Sequence, residues 1–218
     1  MVAQETFNFL VGGSSPPESI KISMKTQYSI SIIKKSEAKT ILDKYHYLSG
    51  KSKGFKSGYN YGLFKDKILV GVCIYTGFPV PELVNGMFGL ERTDQDGFFE
   101  LSRLCLEPTV QNEEHNLASW FVSRTIRELK KTTKVRSILS YADSDVHLGT
   151  IYRACNFVYY GKSDQKSDFW IKQTDGSFIK HSRGKIKGVE GCWIPRSRKY
   201  RFAMIFDKTL NMKWKKVK

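Results

Sequence analysis

A short stretch in the second half of the chain collects side chains that can give or take protons. Residues 141–162 read YADSDVHLGTIYRACNFVYYGK and contain Asp143 and Tyr152 on either side of a Gly-Thr pair. A carboxylate can accept a proton or orient an amine, and a tyrosine hydroxyl can protonate a leaving group. The alternative interpretation of Asp143 is an N-cap of the following helix, with Ser144 and Asp145 as competing candidates. The two roles are compatible.

Two more polar side chains lie where the sequence predicts buried structure. Arg103 belongs to the apolar run FFELSRLCLEP, a strand expected at the centre of a sheet, where an unpaired charge is costly. Strand alternation puts Glu100 on the opposite face, so we expect Arg103 to pair with Asp143 or with a bound anion. A purely structural ion pair is the alternative. Ser119 lies one turn into a helix, where a serine often bonds the local backbone instead.

His46 and Tyr47 end a helical stretch and form a candidate pair of metal ligands. Iron favours histidine together with carboxylate and open positions. Asp43 shares a helix face with His46 at a three-residue spacing, and no other spacing supplies a third ligand. The alternative is a histidine that ends the helix beside packed tyrosines.

The charge of the chain indicates a polyanionic partner. Its 218 residues carry 36 Lys and Arg against 21 Asp and Glu, and residues 180–218 alone hold 13 basic and 2 acidic residues. Aromatic residues between these charges favour nucleic acid over a membrane surface. A basic surface that only confers solubility is the alternative. The residues expected to grip a DNA backbone are Lys51, Lys53, Lys56, Arg196, Arg198, Lys199 and Arg201.

Composition excludes several other classes of protein. Hydrophobic residues make up 40% of the chain, which is too many for general disorder, and no apolar run approaches the roughly 18 residues of a membrane span. The four cysteines are widely spaced without a CxxC pair, which favours reduced thiols over a zinc site. The N-terminus shows no secretory signal pattern, so we expect a cytosolic protein.

Alternating strands and helices must position these groups. We expect an N-terminal arm over residues 1–26, a single domain over 27–207 and a basic tail over 208–218. Their order predicts crossover units on a mixed sheet, followed by a hairpin at an Asp-Gly turn. The predicted strands cover 27–35, 59–66, 67–77, 98–108, 135–143, 157–162, 168–181 as a hairpin, and 200–207; the helices cover 36–48, 116–131 and 147–156, and a long loop covers 78–97.

This order of elements looks like the GNAT acyltransferase fold, an α/β (α+β) fold with a mixed central sheet flanked by helices. Here a C-terminal β-hairpin and a basic tail are added. Four motifs go further: YHYLSGK, FFELSRLCLEP, NLASWFVSRTI and SYADSDVHLGTIYRACNFVYYG. Together with the aromatic and basic C-terminal end, they closely resemble the phage Mom family of DNA-modification proteins over roughly residues 40–206.

The resemblance implies a bacteriophage enzyme that works in the cytoplasm of the infected host. It would add a methylcarbamoyl group to the exocyclic amine of adenine in double-stranded DNA, protecting phage DNA from restriction. A base inside a duplex must be flipped out to be reached. Homodimerisation stays open. The positions that match the functional residues of the family are His46, Tyr47, Arg103, Ser119, Asp143 and Tyr152, and the His-Tyr pair is the one the family is thought to use for iron.

The donor of the transferred group stays open in the sequence. GNAT enzymes cradle the pyrophosphate of coenzyme A with a Gly-rich segment at the N-terminus of the main helix. The corresponding residues 107–116, EPTVQNEEHN, contain no glycine and place Glu113 and Glu114 where they should repel phosphate. We therefore weigh an acyl-CoA such as acetyl-CoA against another donor of carbon and nitrogen.

Two other functions compete with adenine modification. One is an acyl- or aminoacyltransferase that acts on a hypermodified pyrimidine in DNA or on a protein lysine. The other is a DNA-binding protein without activity on a degenerate transferase scaffold, which the missing glycine loop favours.

Overall fold

The structure is a computed structural model that describes residues 27–47, 54–181 and 186–217. The predicted arm over residues 1–26, together with Lys51 and Lys53, lies outside these ranges. The strands are β1 (Tyr28–Ile32), β2 (Tyr59–Lys65), β3 (Ile68–Gly77), β4 (Phe98–Leu106), β5 (Ser137–Asp143), β6 (Val158–Lys162), β7 (Ser167–Lys172), β8 (Phe178–Lys180), β9 (Gly191–Pro195) and β10 (Lys199–Ile205). The helices are α1 (Lys35–Tyr45), α2 (Glu82–Phe88), α3 (Pro108–Glu113), α4 (Leu117–Thr132) and α5 (Thr150–Ala154).

These strands form two sheets in the described part of the chain. The main sheet has seven strands in the order β1-β2-β3-β4-β5-β10-β6, and a small sheet has three in the order β8-β7-β9. Only the β4–β5 pair of the main sheet is parallel. The predicted mixed sheet with flanking helices and the C-terminal hairpin are therefore confirmed. No helix within the described ranges is long and apolar enough to cross a bilayer.

Helices cover both faces of the main sheet. The apolar stripe predicted for the main helix, α4, is buried against Tyr75, Leu101, Ile138 and Phe202. Helix α1 packs on the other face over β3 and β4, where it buries Ala38, Ile41 and Leu42. Farther along that face, α2 and the segment 210–214 cover β5, β6 and β10. Each large apolar side chain buried in this way contributes about 1.5 to 3 kcal/mol to folding.

Three local predictions were wrong. Helix α2 lies in the predicted loop 78–97, because Val84, Met87 and Phe88 are buried there. Helix α3 starts at Pro108, a residue suited to a first turn, directly after β4. Helix α1 starts before the expected Ser36 cap, because Glu37 accepts a hydrogen bond from the Lys34 amide at 2.8 Å.

A β-bulge at Ser102 sets the faces of β4. Ile74 pairs with Arg103 and Tyr75 with Leu101, so Ser102 is an extra residue in the strand. On one side of the bulge Leu101 joins the core under α4, and on the other side Leu104 packs against the same core. Glu100 and Arg103 consequently share the other face. The prediction that they point in opposite directions is wrong, since simple alternation fails across an extra residue.

A glycine at the start of α5 fits closely against the core. Gly149 has φ of +73°, and an added Cβ would lie 2.3 Å from the Phe202 ring. We expect Gly149→Ala to lower the free energy of unfolding by about 1 to 2 kcal/mol for backbone strain and by about 1 to 3 kcal/mol more for the clash. Gly161 is the matched control, with φ of +77° and no atom nearer than 3.5 Å.

Chemical denaturation of the two variants checks this prediction. Gly161→Ala should show the strain alone, so equal losses in the two variants would mean that the Phe202 ring yields without cost.

Candidate active site

The main sheet opens at the C-terminal ends of its two parallel strands. Pairing between β4 and β5 stops at Leu101 and Ser140, where the Ser140 hydroxyl donates to the Leu101 carbonyl at 3.0 Å. Beyond this point β4 stays with β3, while β5 stays with β10 as far as the pair Asp143 and Lys199. The strands therefore diverge and leave a gap, at the end of an α/β sheet where ligands commonly bind.

Asp143 lies at the rim of this gap with 11% of its side chain exposed. Its carboxylate accepts hydrogen bonds from the Lys199 ammonium and from the Asp145 amide, the latter at 3.2 Å. Burial acts to raise the pKa of Asp143, but hydrogen bonds from Lys199, Ser197 and the Asp145 backbone outweigh it, so the pKa is lowered. Asp143 is thus held as a carboxylate.

The alternative role of Asp143 as a helix cap is wrong, because α5 starts later, after Gly149. Asp143 instead closes the preceding turn, where its carbonyl oxygen accepts hydrogen bonds from the Val146 and His147 amides at 3.1 and 2.8 Å.

Tyr152 approaches the gap from the α4 side of the sheet. Its ring centroid lies 5.3 Å from that of Phe202 and 5.8 Å from that of Phe157. Burial raises the pKa of Tyr152 to about 12, against a hydrogen bond with Ser140 that acts to lower it. The hydroxyl therefore keeps its proton at neutral pH. It acts near Ser140, the serine that closes the last β4–β5 contact, and it is suited to donating a proton.

Three rings connect the end of α1 to this site. The His46 and Tyr47 rings stack with centroids 4.6 Å apart, and Tyr47 meets His147 edge to face at 5.3 Å. Burial raises the pKa of Tyr47, the charge of Asp143 adds to this and that of Arg103 opposes it. The pKa of Tyr47 thus depends on charged groups on both sides of the gap.

The iron expected at His46 and Tyr47 would need further ligands from the described residues. The described ranges contain no group of three or more His, Cys, Asp or Glu side chains arranged to hold a metal ion. Asp43, the candidate third ligand, forms an ion pair with Lys39. These residues do not make a fitting iron site, and we derive no chemical step through a metal.

His46 is held neutral by its surroundings. Burial lowers its pKa to about 4, and the charges of Arg103 and His147 act in the same direction. Because the folded protein binds this proton more weakly than the unfolded chain, whose histidine pKa is about 6.5, the stability contributed by neutral His46 is lost as pH falls from about 6.5 towards 4.

Removing the positive neighbour should move this titration. We expect Arg103→Met to raise the pKa of His46, measured by NMR of the imidazole protons, whereas Arg127→Met, an exposed arginine on α4, leaves it unchanged. An unshifted His46 in the Arg103 variant would mean that burial alone sets its pKa.

Arg103 does not pair with Asp143 as we expected. The carboxylate of Asp143 is taken by Lys199, whose strand β10 lies directly beside β5. The guanidinium of Arg103 donates from Nη1 to the Ser102 carbonyl at 2.6 Å. The charge of Arg103 acts to lower the pKa of Glu100. A bound anion, the other partner expected for Arg103, stays a prediction.

Glu100 lies on the same face of β4 as Arg103, opposite to the face predicted from strand alternation. Burial raises the pKa of its carboxyl group, while Arg103 and Lys56 act to lower it. Burial together with the charge of Glu100 raises the pKa of Tyr141 to about 12. A carboxylate with a raised pKa accepts protons better at neutral pH than the stabilised Asp143. The sequence signal was an acidic residue inside an otherwise apolar strand.

Ser119 forms a local hydrogen bond, and the predicted DNA-binding residues include both exposed side chains and side chains that contact other parts of the protein. The Ser119 hydroxyl donates to the Asn116 carbonyl at 3.0 Å, the local bond expected of such a serine. Lys56, Arg196 and Arg198 are exposed. Lys199 is engaged at Asp143, and Cζ of Arg201 lies 4.4 Å from the centroid of the Trp214 ring, so the guanidinium of Arg201 packs on the C-terminal segment.

The two acidic residues in the segment before α4, Glu113 and Glu114, are both bonded to other side chains of the protein. Glu113 forms an ion pair with Lys65 at 3.2 Å, and Glu114 accepts a hydrogen bond from Gln27 at 2.7 Å. Asn116 takes a left-handed conformation, with φ of 64°, in place of the expected glycine, and its side chain makes no capping bond. The repulsion expected at this helix start is therefore reduced.

Several solved structures that align with this chain are described as acetyltransferases. A GNAT-family acetyltransferase from Streptococcus pneumoniae aligns at 11% identity and a TM-score of 0.50, covering 82% of this chain and 99% of that one. The ribosomal-protein-S18-alanine N-acetyltransferase of Escherichia coli aligns at 13% identity and a TM-score of 0.47, covering 82% and 93%. A putative acetyltransferase from Salmonella typhimurium with acetyl-CoA aligns at 8% identity and 0.48, covering 84% and 96%.

A comparison with curated proteins found no match. The Mom protein family model matches residues 27–217, which include β4, the divergent strand ends, α5 and the C-terminal segment. Most of the chain is covered by that match, and the GNAT-like architecture agrees with the fold expected from the order of strands and helices. The chain therefore belongs to the Mom protein family and has a GNAT-like fold.

Proposed function

We propose that this protein transfers a methylcarbamoyl-type group from an activated donor to the exocyclic amine of adenine in DNA. The observation that carries the proposal is the set of groups around the gap between β4 and β5, in a chain of the Mom family. A carboxylate with a raised pKa, a protonated tyrosine and two cationic side chains are all near this gap. These groups are Glu100, Tyr152, Arg103 and Lys199.

Each group has a defined task in such a transfer. The amine nitrogen forms a bond to the transferred carbon as that carbon parts from its leaving group. The amine loses one proton, which Glu100 accepts, and the leaving group gains one, which Tyr152 donates. Arg103 supplies positive charge for the negative charge that develops during transfer. Asp143 fixes the position of Lys199 through their ion pair and stays ionised throughout.

A CoA thioester is the donor class that the architecture favours; because the acetyl group of acetyl-CoA contains no nitrogen, the acyl group transferred as methylcarbamoyl must already carry its amide nitrogen. Beyond Leu101, the edge of β4 that faces the gap is not paired with β5, so its backbone groups are available to an extended donor. The N-terminus of α4 has no side-chain cap, and free amides at such an end favour phosphate. Lys65 offsets the charge of Glu113 nearby.

DNA is the acceptor that fits the charge of the chain. A net charge of +15 attracts a polyanion, and Lys56, Arg196 and Arg198 are exposed. The adenine would enter the gap flipped out of the duplex. The setting of the reaction would be the cytoplasm of an infected bacterium, where the modification protects phage DNA from restriction.

Mass spectrometry of nucleosides from cells that express the chain tests this proposal. A new adenosine adduct carrying the mass of a methylcarbamoyl group is the expected result. An adduct on a pyrimidine or on protein lysine would assign the transferase another target. Unmodified DNA and protein, despite tight binding of DNA by the purified chain, would indicate a binding protein without activity.

A further inference from the structure

The small sheet exposes aromatic side chains that no part of the described fold covers. Its strands alternate, so one face carries Phe169, Ile171, Ile179, His181 and Trp193, which we call the aromatic face. Trp193 is 60% exposed and Ile179 is 56% exposed. The hydrophobic clusters of the described residues include none of these side chains. An exposed apolar surface of this kind marks a binding site.

The rings of the aromatic face are held in place by one another and by the strands. Phe169 contacts Trp193 edge to face at 5.4 Å between centroids, and it contacts His181 at 6.1 Å. The His181 amide donates to the Phe169 carbonyl at 2.8 Å. The result is a row of three rings across the sheet, centred on Phe169, with Trp193 at its exposed end.

The opposite face of the small sheet differs in chemistry. Asp168 forms ion pairs with Lys180 at 2.6 Å and with Arg196 at 3.9 Å, and Lys172 pairs with Glu190 at 2.9 Å. The charges on that face are thus largely paired with one another. Trp170, Phe178 and Ile194 also lie on that face, interleaved with these charged residues, whereas the aromatic face has no ion pair among its described strand residues.

The small sheet is attached beside the candidate active site. Strand β9 ends at Pro195, and the chain reaches Lys199, the partner of Asp143, after three residues. Within this link the Arg198 carbonyl accepts a hydrogen bond from the Ser144 amide at 3.0 Å, next to Asp143. The Pro195 end of the small sheet is therefore joined directly to the end of the main sheet where the gap opens.

We propose that the aromatic face is a stacking platform for bases of DNA that are unpaired around the target adenine, an inference that rests on the proposed function. Extruding a base leaves its neighbours unstacked, and aromatic rings on a sheet bind unstacked bases through their π-faces without regard to sequence. The charge matches this occupant: Lys166, Lys187 and Arg198 are exposed near the sheet, and residues 180–218 hold 13 basic and 2 acidic residues.

Binding of DNA by the full-length protein tests the platform. The probes are a short single-stranded oligonucleotide that contains adenine and the fully paired duplex of the same sequence, compared by fluorescence anisotropy. We expect Trp193→Ala to weaken single-strand binding by about tenfold or more. Its effect on the duplex should stay within about threefold, and the salt dependence of binding should not change, because no phosphate contact is lost.

Two further variants control for disruption of the sheet. Phe178→Ala removes an exposed aromatic ring from the opposite face of the same sheet and should leave single-strand binding unchanged. Trp193→Phe keeps a ring and should restore most of the affinity. Equal binding by Trp193→Ala and the parent protein would overturn the platform, as would a loss of affinity shared equally by Phe178→Ala.

The outcomes also separate the platform from the proposed function. If cells make no adenine adduct while Trp193→Ala loses single-strand binding, the platform stands and the proposed function fails. If the adduct forms and Trp193→Ala binds single strands normally, the platform alone fails. If Trp193→Ala instead changes the oligomeric state in sedimentation and leaves DNA binding intact, the aromatic face is a contact between copies of the chain and the platform is overturned.

Discussion

Replacing Tyr152 with phenylalanine is expected to lower the yield of adenine adduct by about a hundredfold or more, the usual contribution of a positioned proton donor. The phenolic hydroxyl, with its pKa raised to about 12, is the group that keeps a proton for the leaving group. The ring itself packs against Phe157 and Phe202, so phenylalanine preserves these contacts. Quantitative mass spectrometry of DNA from cells with equal amounts of each protein measures the effect.

Tyr159 provides the matched control for this substitution. Its ring lies 5.3 Å from the same Phe202 ring but belongs to β6. Tyr159→Phe should keep full adduct formation. Full activity in Tyr152→Phe would remove the tyrosine from the reaction, while equal losses in both variants would point to packing around Phe202 as the cause.

Replacing Asp143 with alanine is expected to affect both stability and activity. The substitution leaves the Lys199 ammonium, 35% exposed, without its carboxylate and frees the turn that Asp143 closes. Loss of a charge-assisted hydrogen bond of this kind costs about 2 kcal/mol of unfolding free energy. We also expect adduct formation to fall by about tenfold or more, because Lys199 and the turn at the rim of the gap lose their fixed positions.

The pH dependence of the unfolding free energy shows whether loss of the Asp143–Lys199 ion pair is what destabilises Asp143→Ala. The pKa of Asp143 is lowered in the folded protein, so the pair contributes above the unfolded value of about 3.9 and is lost as pH falls through the folded value. Urea denaturation should therefore show the variant and the parent converging in acid, below about pH 4. Asp145→Ala, an exposed acid on the same turn, serves as control, and a constant difference at all pH values would contradict the assignment.

Periodicity was sufficient to predict the main elements of the fold. The stripe on α4, the strand at β5 and the Asp-Gly hairpin all carry local signals strong enough to be read without tertiary context. Helices α2 and α3 were missed because each is short, has no side-chain cap at its N-terminus and is stabilised by burial of a few side chains. Such helices depend on neighbours that are distant in sequence.

The candidate site was harder to predict than the fold because its partners come from distant strands. From the sequence, Lys199 was predicted to contact DNA phosphates together with several other basic residues. In the structure it lies opposite Asp143 in the β5–β10 register and forms an ion pair with that carboxylate. The sequence between Asp143 and Lys199 contains no pattern that predicts this pairing. Arg103 and His46 were predicted as site residues separately, and the effect of Arg103 on the pKa of His46 depends on how α1 packs over β4.

The bulge at Ser102 has a consequence for inherited changes in this chain. The placement of Glu100 and Arg103 on one face depends on the number of residues between them, while the Ser102 hydroxyl adds a hydrogen bond to the Ile74 carbonyl at 3.2 Å. Many substitutions at this position would keep that count. Loss of a single codon there would make β4 regular and turn either Arg103 or Glu100 towards the opposite layer. The site is thus protected against many missense changes at Ser102 and exposed to an in-frame deletion.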